Sequence, residues 1–332
     1  MSDLELDIDR IISKVKEEGH KVIALQFPEG LRRRSLEISK TIGSNTGAQV
    51  ILLMDPCFGA CDMPQDARSL GATLLVHLGH AQMPGVGSDV ETLYIEARSS
   101  IEPVEVIEKV LPSLIPPIAL VTTVQHVDAL DKVMEFLAIE GMEVVIPDGG
   151  PRAPYPGMVL GCDISSALIV KDRASSFLFL GSGLFHPRAI ALGTGKPTFA
   201  ADPYTGEILD LTSELEPFLR KRHALIAKSM DANTFGILIG RKPGQKRLGL
   251  AKELADQVRT KGKTAYLMAV DHLSPDLILG MEVDVYVSTL CPRLAIDDSS
   301  YYSKPLLTPF ELKVVLGVAD YNEYELDYIT QL

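Results

Sequence analysis

The chain has 332 residues, 46% of them hydrophobic and 23% charged, which is enough for two or three globular domains. Its 44 acidic residues outnumber 32 basic ones, and the formal charge of -12 argues against a protein that binds nucleic acid over its whole surface. The first residues, MSDLELDIDRI, lack the layout of a secretion signal, and no apolar run is long enough to span a membrane. We therefore expect a cytoplasmic protein that binds neither nucleic acid nor a membrane.

The first hundred or so residues predict a series of strands with one helix between the first two. Residues 22–27 (VIALQF) have the pattern of a buried strand, and the following helix is predicted to start at Pro28 and Glu29 and to end at Gly43. Further strands are predicted in AQVILLMD (48–55), TLLVHLGH (73–80) and TLYIEARSS (92–100).

The strand–helix–strand series then restarts twice. A strand at 118–126 (IALVTTVQH) precedes a helix that ends on Gly141, and a strand at 234–240 (TFGILIG) precedes a helix near 246–261. Further strands are predicted in MEVVIPD, SSFLFLGSG, PTFAADP, TAYLMAV and VDVYVSTLC. The repeat of about a hundred residues is the size of one small domain.

This pattern predicts three similar α/β units, with joins near 103–117 and 204–233. We place the domain bounds at 1–110, 111–212 and 213–332, so that each domain has one of the cysteines 61, 162 and 291. A single large doubly wound sheet is the alternative, although the recurring opening of each unit favours repeats.

Three cysteines, one in each unit, follow a predicted strand or the loop after it. Cys61 follows the second strand, Cys162 follows MEVVIPD, and Cys291 ends VDVYVSTLC. Ligands of open α/β sheets gather outside the carboxyl ends of strands, so these thiols are expected to meet at one centre. Three thiolates suit a [4Fe-4S] cluster with one open iron. Zinc, which usually takes four ligands, is the competing metal, and buried apolar cysteines are the structural alternative.

The fourth cysteine, Cys57, lies in the stretch CFGACD at 57–62. Together with Cys61 it has the spacing that opens the CxxxCxxC loop of ordinary radical S-adenosylmethionine (SAM) enzymes. The third cysteine of that motif would be residue 64, which is Pro64. We therefore interpret Cys57 as a small buried side chain rather than a metal ligand.

Seven stretches in order resemble the archaeal diphthamide synthase family over nearly the whole chain. They are QFPEGLRR (26–33), GACD (59–62), VTTVQH (121–126), VLGCD (159–163), GSGLFHPRA (181–189), TLCPRLAIDD (289–298) and LLTPFELKVVLG (306–317). The resemblance implies three homologous, Rossmann-like α/β domains in a pseudo-three-fold arrangement around a central cluster. It also implies that Cys61, Cys162 and Cys291 hold a [4Fe-4S] cluster, and that Cys57 does not.

The reaction that this resemblance implies is the first step of diphthamide biosynthesis by a noncanonical radical SAM enzyme. The reduced cluster donates an electron to SAM, and the bond from sulfur to the methionine γ-carbon breaks. The 3-amino-3-carboxypropyl group is transferred to imidazole C2 of a histidine in translation elongation factor 2, leaving methylthioadenosine. The expected partners are the elongation factor, a second copy of the chain in a homodimer, and an electron donor.

Three strand-end loops are candidates for SAM contacts, because backbone donors and polar side chains meet a ligand at such places. An ordinary strand–helix turn explains the first loop, and a satisfied strand-end pair the second, about equally well. The Gly-rich loop lacks GxGxxG, and a structural hydrogen bond is the favoured role of its histidine. No general acid or base is assigned. The candidates are Gln26, Glu29, Gly30, Gln125, His126, Gly181, Gly183 and His186.

Two other functions stay open on the sequence alone. Quinolinate synthase also has three α/β domains and three cysteines around one cluster, but it uses no SAM. A non-catalytic subunit that supports a partner's cluster is the other, although all three candidate ligands are present. The basic stretch 241–247 (RKPGQKR) is a solvated face, a docking edge for an anionic partner such as the elongation factor, or a contact for the SAM carboxylate.

Overall fold

The structure is a computed structural model that describes residues 4–329. Within that range the chain forms three separate sheets of mainly parallel strands, each with helices packed against it. The prediction of an α/β fold with parallel sheets is confirmed, and the alternative of one large doubly wound sheet is wrong. None of the helices in this range has both the length and the apolar character that crossing a bilayer requires.

The first sheet has the strand order β3-β2-β4-β5, and all of its neighbours are parallel. A short antiparallel pair, β1 with β6, lies beside it. The elements are β1 (Leu4–Glu5), α1 (Ile8–Glu18), β2 (Val22–Gln26), α2 (Ser35–Thr46), β3 (Gln49–Leu52), β4 (Leu74–Gly79), β5 (Glu91–Glu96) and β6 (Arg98–Ser99). A 3-10 helix, Glu29–Arg34, leads into α2.

Side chains alternate along β2, which places the two faces of the first sheet against different neighbours. Ile23 and Leu25 pack with the core under α1 and α2. Ala24 packs on the other face with Ala60 and other residues of the segment between β3 and β4, which contains the first cysteines. The next residue on that second face is Gln26, so its amide lies beneath the cysteine loop.

The predicted end of the first helix at Gly43 is wrong. The apolar stripe of α2 includes buried Ile38 and Ile42, and the helix continues to Thr46. Gly47 ends it in the left-handed region at φ 72°, which favours glycine, and its N–H donates to the carbonyl of Gly43 at 2.8 Å.

The second sheet has the order β11-β10-β9-β7-β8, parallel except for the edge strand β11. Buried Val106, Ile107 and Val110 of the helix before β7 belong to its core. The elements are α3 (Val104–Val110), β7 (Ile118–Thr122), α4 (Leu130–Ile139), β8 (Val144–Val145), α5 (Ser165–Val170), β9 (Ser176–Leu180), α6 (Phe185–Thr194), β10 (Thr198–Ala201), β11 (Ile208–Asp210) and α7 (Leu211–Ser229).

The third sheet has the order β13-β12-β14-β15, with all neighbours parallel. Its elements are β12 (Thr234–Gly240), α8 (Leu248–Thr260), β13 (Thr264–Val270), α9 (Pro275–Ile278), β14 (Val285–Ser288), α10 (Pro292–Ile296), β15 (Leu306–Leu307) and α11 (Pro309–Val315).

Several predicted strands extend too far, among them AQVILLMD, which is a strand only at Gln49–Leu52, and MEVVIPD, which is a strand only at Val144–Val145. Two other cases change the position of predicted site residues. The strand predicted at 118–126 ends at Thr122, and Val124–Ala129 forms a 3-10 helix. The strand predicted to end on Cys291 stops at Ser288, so that this cysteine lies instead at the N-cap of α10. Both cases place the polar residues of the motif in a loop beyond the sheet, where they are free to face a ligand.

The predicted join at 204–233 is largely the long helix α7. Leu211, Phe218 and Ile226 are buried on it, so the segment is packed rather than a loose linker. The predicted bound at 212 falls in the first turn of this helix, and α3, predicted for the first domain, packs on the second sheet. The exact domain bounds and the pseudo-three-fold arrangement remain predictions.

Candidate metal centre and adjoining clefts

Cys61 lies in the loop between β3 and β4, and this loop is held against the loop that follows β12. The N–H of Gly244 donates to the Cys61 carbonyl at 3.2 Å, and the Gln245 amide donates to Cys61 Sγ at 3.3 Å. Asp62 is buried and accepts hydrogen bonds from the N–H of Phe58 at 2.6 Å and from the Gln245 amide at 2.9 Å. These hydrogen bonds join the first unit directly to the third at Cys61.

Cys162 lies in the loop between β8 and α5, beside the C-terminal segment. Its carbonyl accepts from the N–H of Ile329 at 2.7 Å. The neighbouring Asp163 is buried and accepts from the backbone N–H groups of Arg152 and Ser165, both at 3.0 Å. The aspartate that follows the cysteine therefore folds this loop, as Asp62 does in the first.

Cys291 follows β14, and an arginine from the third unit fixes the backbone just before it. Arg247 donates to the carbonyls of Thr289 and Leu290 at 3.0 and 2.9 Å. Its guanidinium also makes a two-bonded ion pair with Asp327, both contacts at 2.6 Å. These bonds hold the end of β14 and the position of the cysteine after it.

The structure brings the three predicted cysteines into one electrostatic site. Burial raises the pKa of the Cys291 thiol to about 12, and the Cys162 thiolate adds to that effect. Burial also raises the pKa of Cys61 well above its ordinary value, with contributions from Asp62 and from both other cysteines. Thiols held this way stay protonated unless a cation displaces the protons.

The donor set fits an iron–sulfur cluster better than a single ion. Among the described residues, some groups of side chains have ligand atoms within 4.8 Å of one another, close enough to hold one ion. The three thiols do not form such a group. A set of three sulfurs also differs from the closed four-ligand set of structural zinc. Three separated thiols are what a larger inorganic group held by cysteine requires.

Cys57 occupies a different place from the other three. It is 4% exposed, and its sulfur is within 4.8 Å of nitrogen atoms of His77 and His80. His77 hydrogen-bonds the side-chain oxygen Oε1 of Gln26 at 2.7 Å through Nδ1 and His80 Nδ1 at 3.0 Å through Nε2. Gln26 donates its amide to the Asp62 carbonyl at 2.7 Å, so this chain of contacts supports the cysteine loop from beneath.

The interpretation of residues 241–247 as a surface patch is wrong for two of its four basic side chains. Lys242 is 12% exposed and its Nζ lies 3.1 Å from Asp62 Oδ1, while Arg247 is 8% exposed and paired with Asp327. Arg241 and Lys246 are exposed. The basic side chains of this segment point alternately to the surface and to the cysteine site, because the segment is a loop with a 3-10 turn at Pro243–Gln245.

A cleft between the first and second sheets, which we call the histidine cleft, has a volume of about 520 Å³. His80, His126 and His186 line it, together with Gly30 and Gln125. Thr123, Ser182 and Tyr204 complete the polar part of the lining. Four of the eight candidate SAM-contacting residues, from loops predicted separately, are therefore brought to one cavity.

The other four candidates lie elsewhere or contribute only backbone. Gln26 is buried beneath the Cys61 loop, and Glu29 is exposed and paired with Arg32 at 2.9 Å. Gly181 and Gly183 flank Ser182 at φ 145° and 83°, where a side chain is disfavoured, so they shape the turn that presents this serine.

The imidazoles of the histidine cleft are neutral near pH 7. Burial lowers the pKa of His80, His126 and His186 to about 4, and the Arg293 charge adds to the effect at His186. His126 is 3% exposed and its Nδ1 has no hydrogen-bond partner within the described chain. A buried imidazole nitrogen left unpaired beside a cavity is suited to a polar group of a ligand.

A second opening, the Cys291 cleft, has a volume of about 140 Å³. Cys291 lines it with Lys242, Gln245, His272 and Phe58. The Phe58 ring stacks on His272 with 6.0 Å between centroids, and this phenylalanine of the CFGACD stretch is 60% exposed. This opening reaches a candidate metal ligand directly.

Sequence reasoning missed the residues that fix the cysteine loops. Asp62 and Asp163 are these residues, and the repeated Cys-Asp of GACD and GCD was the available signal. Lys242 and Gln245 were not recognised as parts of the site, because the approach of their loop to Cys61 is a contact between distant segments.

Gly244→Ala is expected to displace the Cys61 loop. A Cβ at position 244 would lie 2.4 Å from both Cα and Cβ of Cys61, too close for any relaxation of a side chain to remove. We expect a loss of about 1–3 kcal/mol of stability and faster reaction of Cys61 with a thiol reagent in the metal-free protein.

The matched control is Gly249→Ala in α8, where an added Cβ meets no heavy atom within 4 Å. This change should leave thiol reactivity unaltered and hold or slightly raise the melting temperature. Equal behaviour of the two variants would contradict the close packing of Gly244 on Cys61.

The fold and the site define a three-sheet α/β protein with a cysteine from each unit at its centre. A family model described as "Putative diphthamide synthesis protein" matches residues 27–326. The chain therefore belongs to the diphthamide synthesis protein family.

Several relatives are similar over nearly the whole chain. The 2-(3-amino-3-carboxypropyl)histidine synthase of Pyrococcus horikoshii is 36% identical over 98% of this chain and 94% of its own length. Subunit 1 of the human 2-(3-amino-3-carboxypropyl)histidine synthase is 30% identical over 98% of this chain and 75% of its own. A crystal structure of Dph2 from P. horikoshii with a 4Fe-4S cluster superposes with a TM-score of 0.89 at 36% identity, covering 98% and 95% of the chains.

Proposed function

We propose that this protein is a 2-(3-amino-3-carboxypropyl)histidine synthase. It transfers the 3-amino-3-carboxypropyl group of SAM to imidazole C2 of a histidine in translation elongation factor 2. The observation that supports this most is the meeting of Cys61, Cys162 and Cys291 from three separate units, in a chain that matches a synthase over 98% of its length. The same match favours this function over a quinolinate synthase-like reaction.

Cys61, Cys162 and Cys291 would hold a [4Fe-4S] cluster. When bound, the cluster would supply the single electrons that the cleavage of SAM needs. The chain's own contribution is to fix the three thiols, through Gln245 and Gly244 at Cys61 and through Arg247 before Cys291. A full set of three thiols argues against a non-catalytic supporting role.

We place SAM in the histidine cleft. Its volume of about 520 Å³ lies within the usual range for small-molecule sites, roughly 300–1,000 Å³. The unpaired His126 Nδ1 offers a hydrogen bond to the ligand, and Gln125 lies beside it. The contacts from His80 through His77 lead from this cleft to the residues beneath Cys61.

The Cys291 cleft is the proposed entrance for the histidine of the elongation factor. Its volume of about 140 Å³ is below the range of most cofactor sites and suits a side chain. Exposed Phe58 at its rim is available to a protein loop, while Lys242, which is paired with Asp62, forms part of its wall. We also propose that the protein acts in the cytoplasm, as a homodimer, with a separate electron donor.

The test is anaerobic incubation of the iron-loaded protein with dithionite, SAM and elongation factor 2. We expect the elongation factor to gain the mass of one 3-amino-3-carboxypropyl group and methylthioadenosine to accumulate. Omission of SAM should prevent both. Methylthioadenosine without a modified elongation factor would contradict the assigned acceptor, and intact SAM would contradict the reaction.

His126→Ala in the same incubation tests the placement of SAM. The variant should retain the visible iron–sulfur absorbance while SAM cleavage and SAM binding both weaken, since the unpaired imidazole nitrogen is removed. Unchanged SAM binding would show that the ligand lies outside the histidine cleft.

A further inference from the structure

Arg152 lies at the junction of the three units, in the loop between β8 and α5, and is 5% exposed. Its guanidinium donates to the carbonyls of Gly244 at 2.8 Å and Ile329 at 3.0 Å. It also contacts Met83 Sδ at 2.8 and 3.2 Å and Cys162 Sγ at 3.8 Å. One side chain therefore contacts the first unit, the second and the third.

The charge of this side chain lacks the acidic partner that a buried arginine normally has. Its acceptors within residues 4–329 are backbone carbonyls and sulfur atoms, with no carboxylate among them. Two other well-buried arginines have such partners, since Arg222 pairs with Glu311 and Arg247 with Asp327. A buried cation without an opposite charge is costly, so the structure calls for a negative group beside Arg152.

The only group of that kind in contact with the guanidinium, within the described chain, is the sulfur of Cys162. Each thiolate that holds a cluster contributes one negative charge, and reduction adds one more. We propose that Arg152 is the counter-charge of the cysteine-held cluster, stabilising its reduced state and thereby raising its reduction potential. This inference rests on the proposed function, because it requires that the three cysteines hold a cluster.

The sign of the effect follows from Coulomb's law. A fixed positive charge stabilises the more negative of two redox states, and the local dielectric of a buried site strengthens that effect. Net charge and hydrogen bonds to the cluster sulfurs are among the factors that set the potentials of iron–sulfur proteins. Arg152 acts on the electron that the reaction consumes, without contacting either substrate.

The experiment is an anaerobic redox titration of the iron-loaded full chain, followed by visible absorbance and electron paramagnetic resonance. Arg152→Gln keeps a hydrogen-bond donor and removes the charge. We expect its affinity for the electron to fall at least tenfold, a shift of about 59 mV to more negative potential for a one-electron couple. Arg152→Lys, which keeps the charge, should stay close to the unmodified protein.

Arg222→Gln is the matched control, since it removes the charge of another buried arginine at a place where Glu311 already balances it. It should lower the melting temperature and leave the potential of the loaded fraction unchanged. An unaltered potential in Arg152→Gln, or equal shifts in Arg152→Gln and Arg152→Lys, would overturn the proposal.

Failure to load iron is also informative. If Arg152→Gln takes up no cluster while Arg152→Lys does, the charge is required and the proposal stands; if both fail, the role of Arg152 is geometric and the proposal is wrong. Absence of a cluster in the unmodified protein would instead refute the proposed function itself.

Discussion

Cys61→Ala, Cys162→Ala and Cys291→Ala are each expected to abolish the iron–sulfur absorbance of the reconstituted protein and its SAM cleavage. The three thiols come from different units, and none of the described cysteines stands ready to replace a missing one at the centre. Loss of one sulfur leaves two ligands for a group that needs three. Iron content per chain and the visible spectrum measure the result.

Cys57→Ala is the matched control, since it removes a cysteine four residues from Cys61 in the same loop. Its sulfur lies within 4.8 Å of nitrogen atoms of His77 and His80, so the variant should keep its iron and its visible spectrum. Loss of iron in Cys57→Ala, with any of the other three variants retaining it, would overturn the ligand assignment.

Arg222→Ala is expected to destabilise the protein by about 3–5 kcal/mol, because it leaves the carboxylate of Glu311 buried and uncompensated. Arg222 is 2% exposed and Glu311 0%. The guanidinium contacts Glu311 at 2.6 and 2.5 Å and donates to the Ala295 carbonyl in α10 at 2.6 Å. Chemical denaturation of the metal-free protein gives the free energy of unfolding.

Arg220→Ala on the same helix is its matched control. Arg220 is 75% exposed and pairs with Glu216, which is 74% exposed, so the free energy of unfolding should change by less than about 1 kcal/mol. Similar losses in the two variants would show that the Arg222–Glu311 pair contributes no more than a surface contact.

The sequence was sufficient to predict the three strand–helix series and the presence of one of the three cysteines in each, although Cys291 lies at the start of a helix and not at the end of a strand. Apolar runs such as 234–240 and helix ends such as Gly141 carry local information, and the one-per-unit spacing of Cys61, Cys162 and Cys291 follows from the repeat. These features depend on residues that are close in sequence or on the repeated α/β unit, and the structure contains them.

Contacts between units were not predictable in the same way. Lys242 is in a stretch that reads as surface charge, and only the approach of its loop to Asp62 buries it. The segment 204–233 contains an internal proline at Pro217 and many charges, yet α7 packs through Phe218 and Ile226. Such contacts depend on how the three units pack against one another. Local composition and periodicity carry no information about that packing.

The placement of one cysteine in each unit has a consequence for the order of events during biosynthesis. Cys61 emerges from the ribosome early, but Cys291 follows β14, near the end of the chain. The loop at Gly244 that packs on Cys61 also belongs to the last unit. A chain without its third sheet therefore presents at most two of the three proposed ligands. If Cys61, Cys162 and Cys291 hold the proposed cluster, its assembly has to wait until the third sheet has folded.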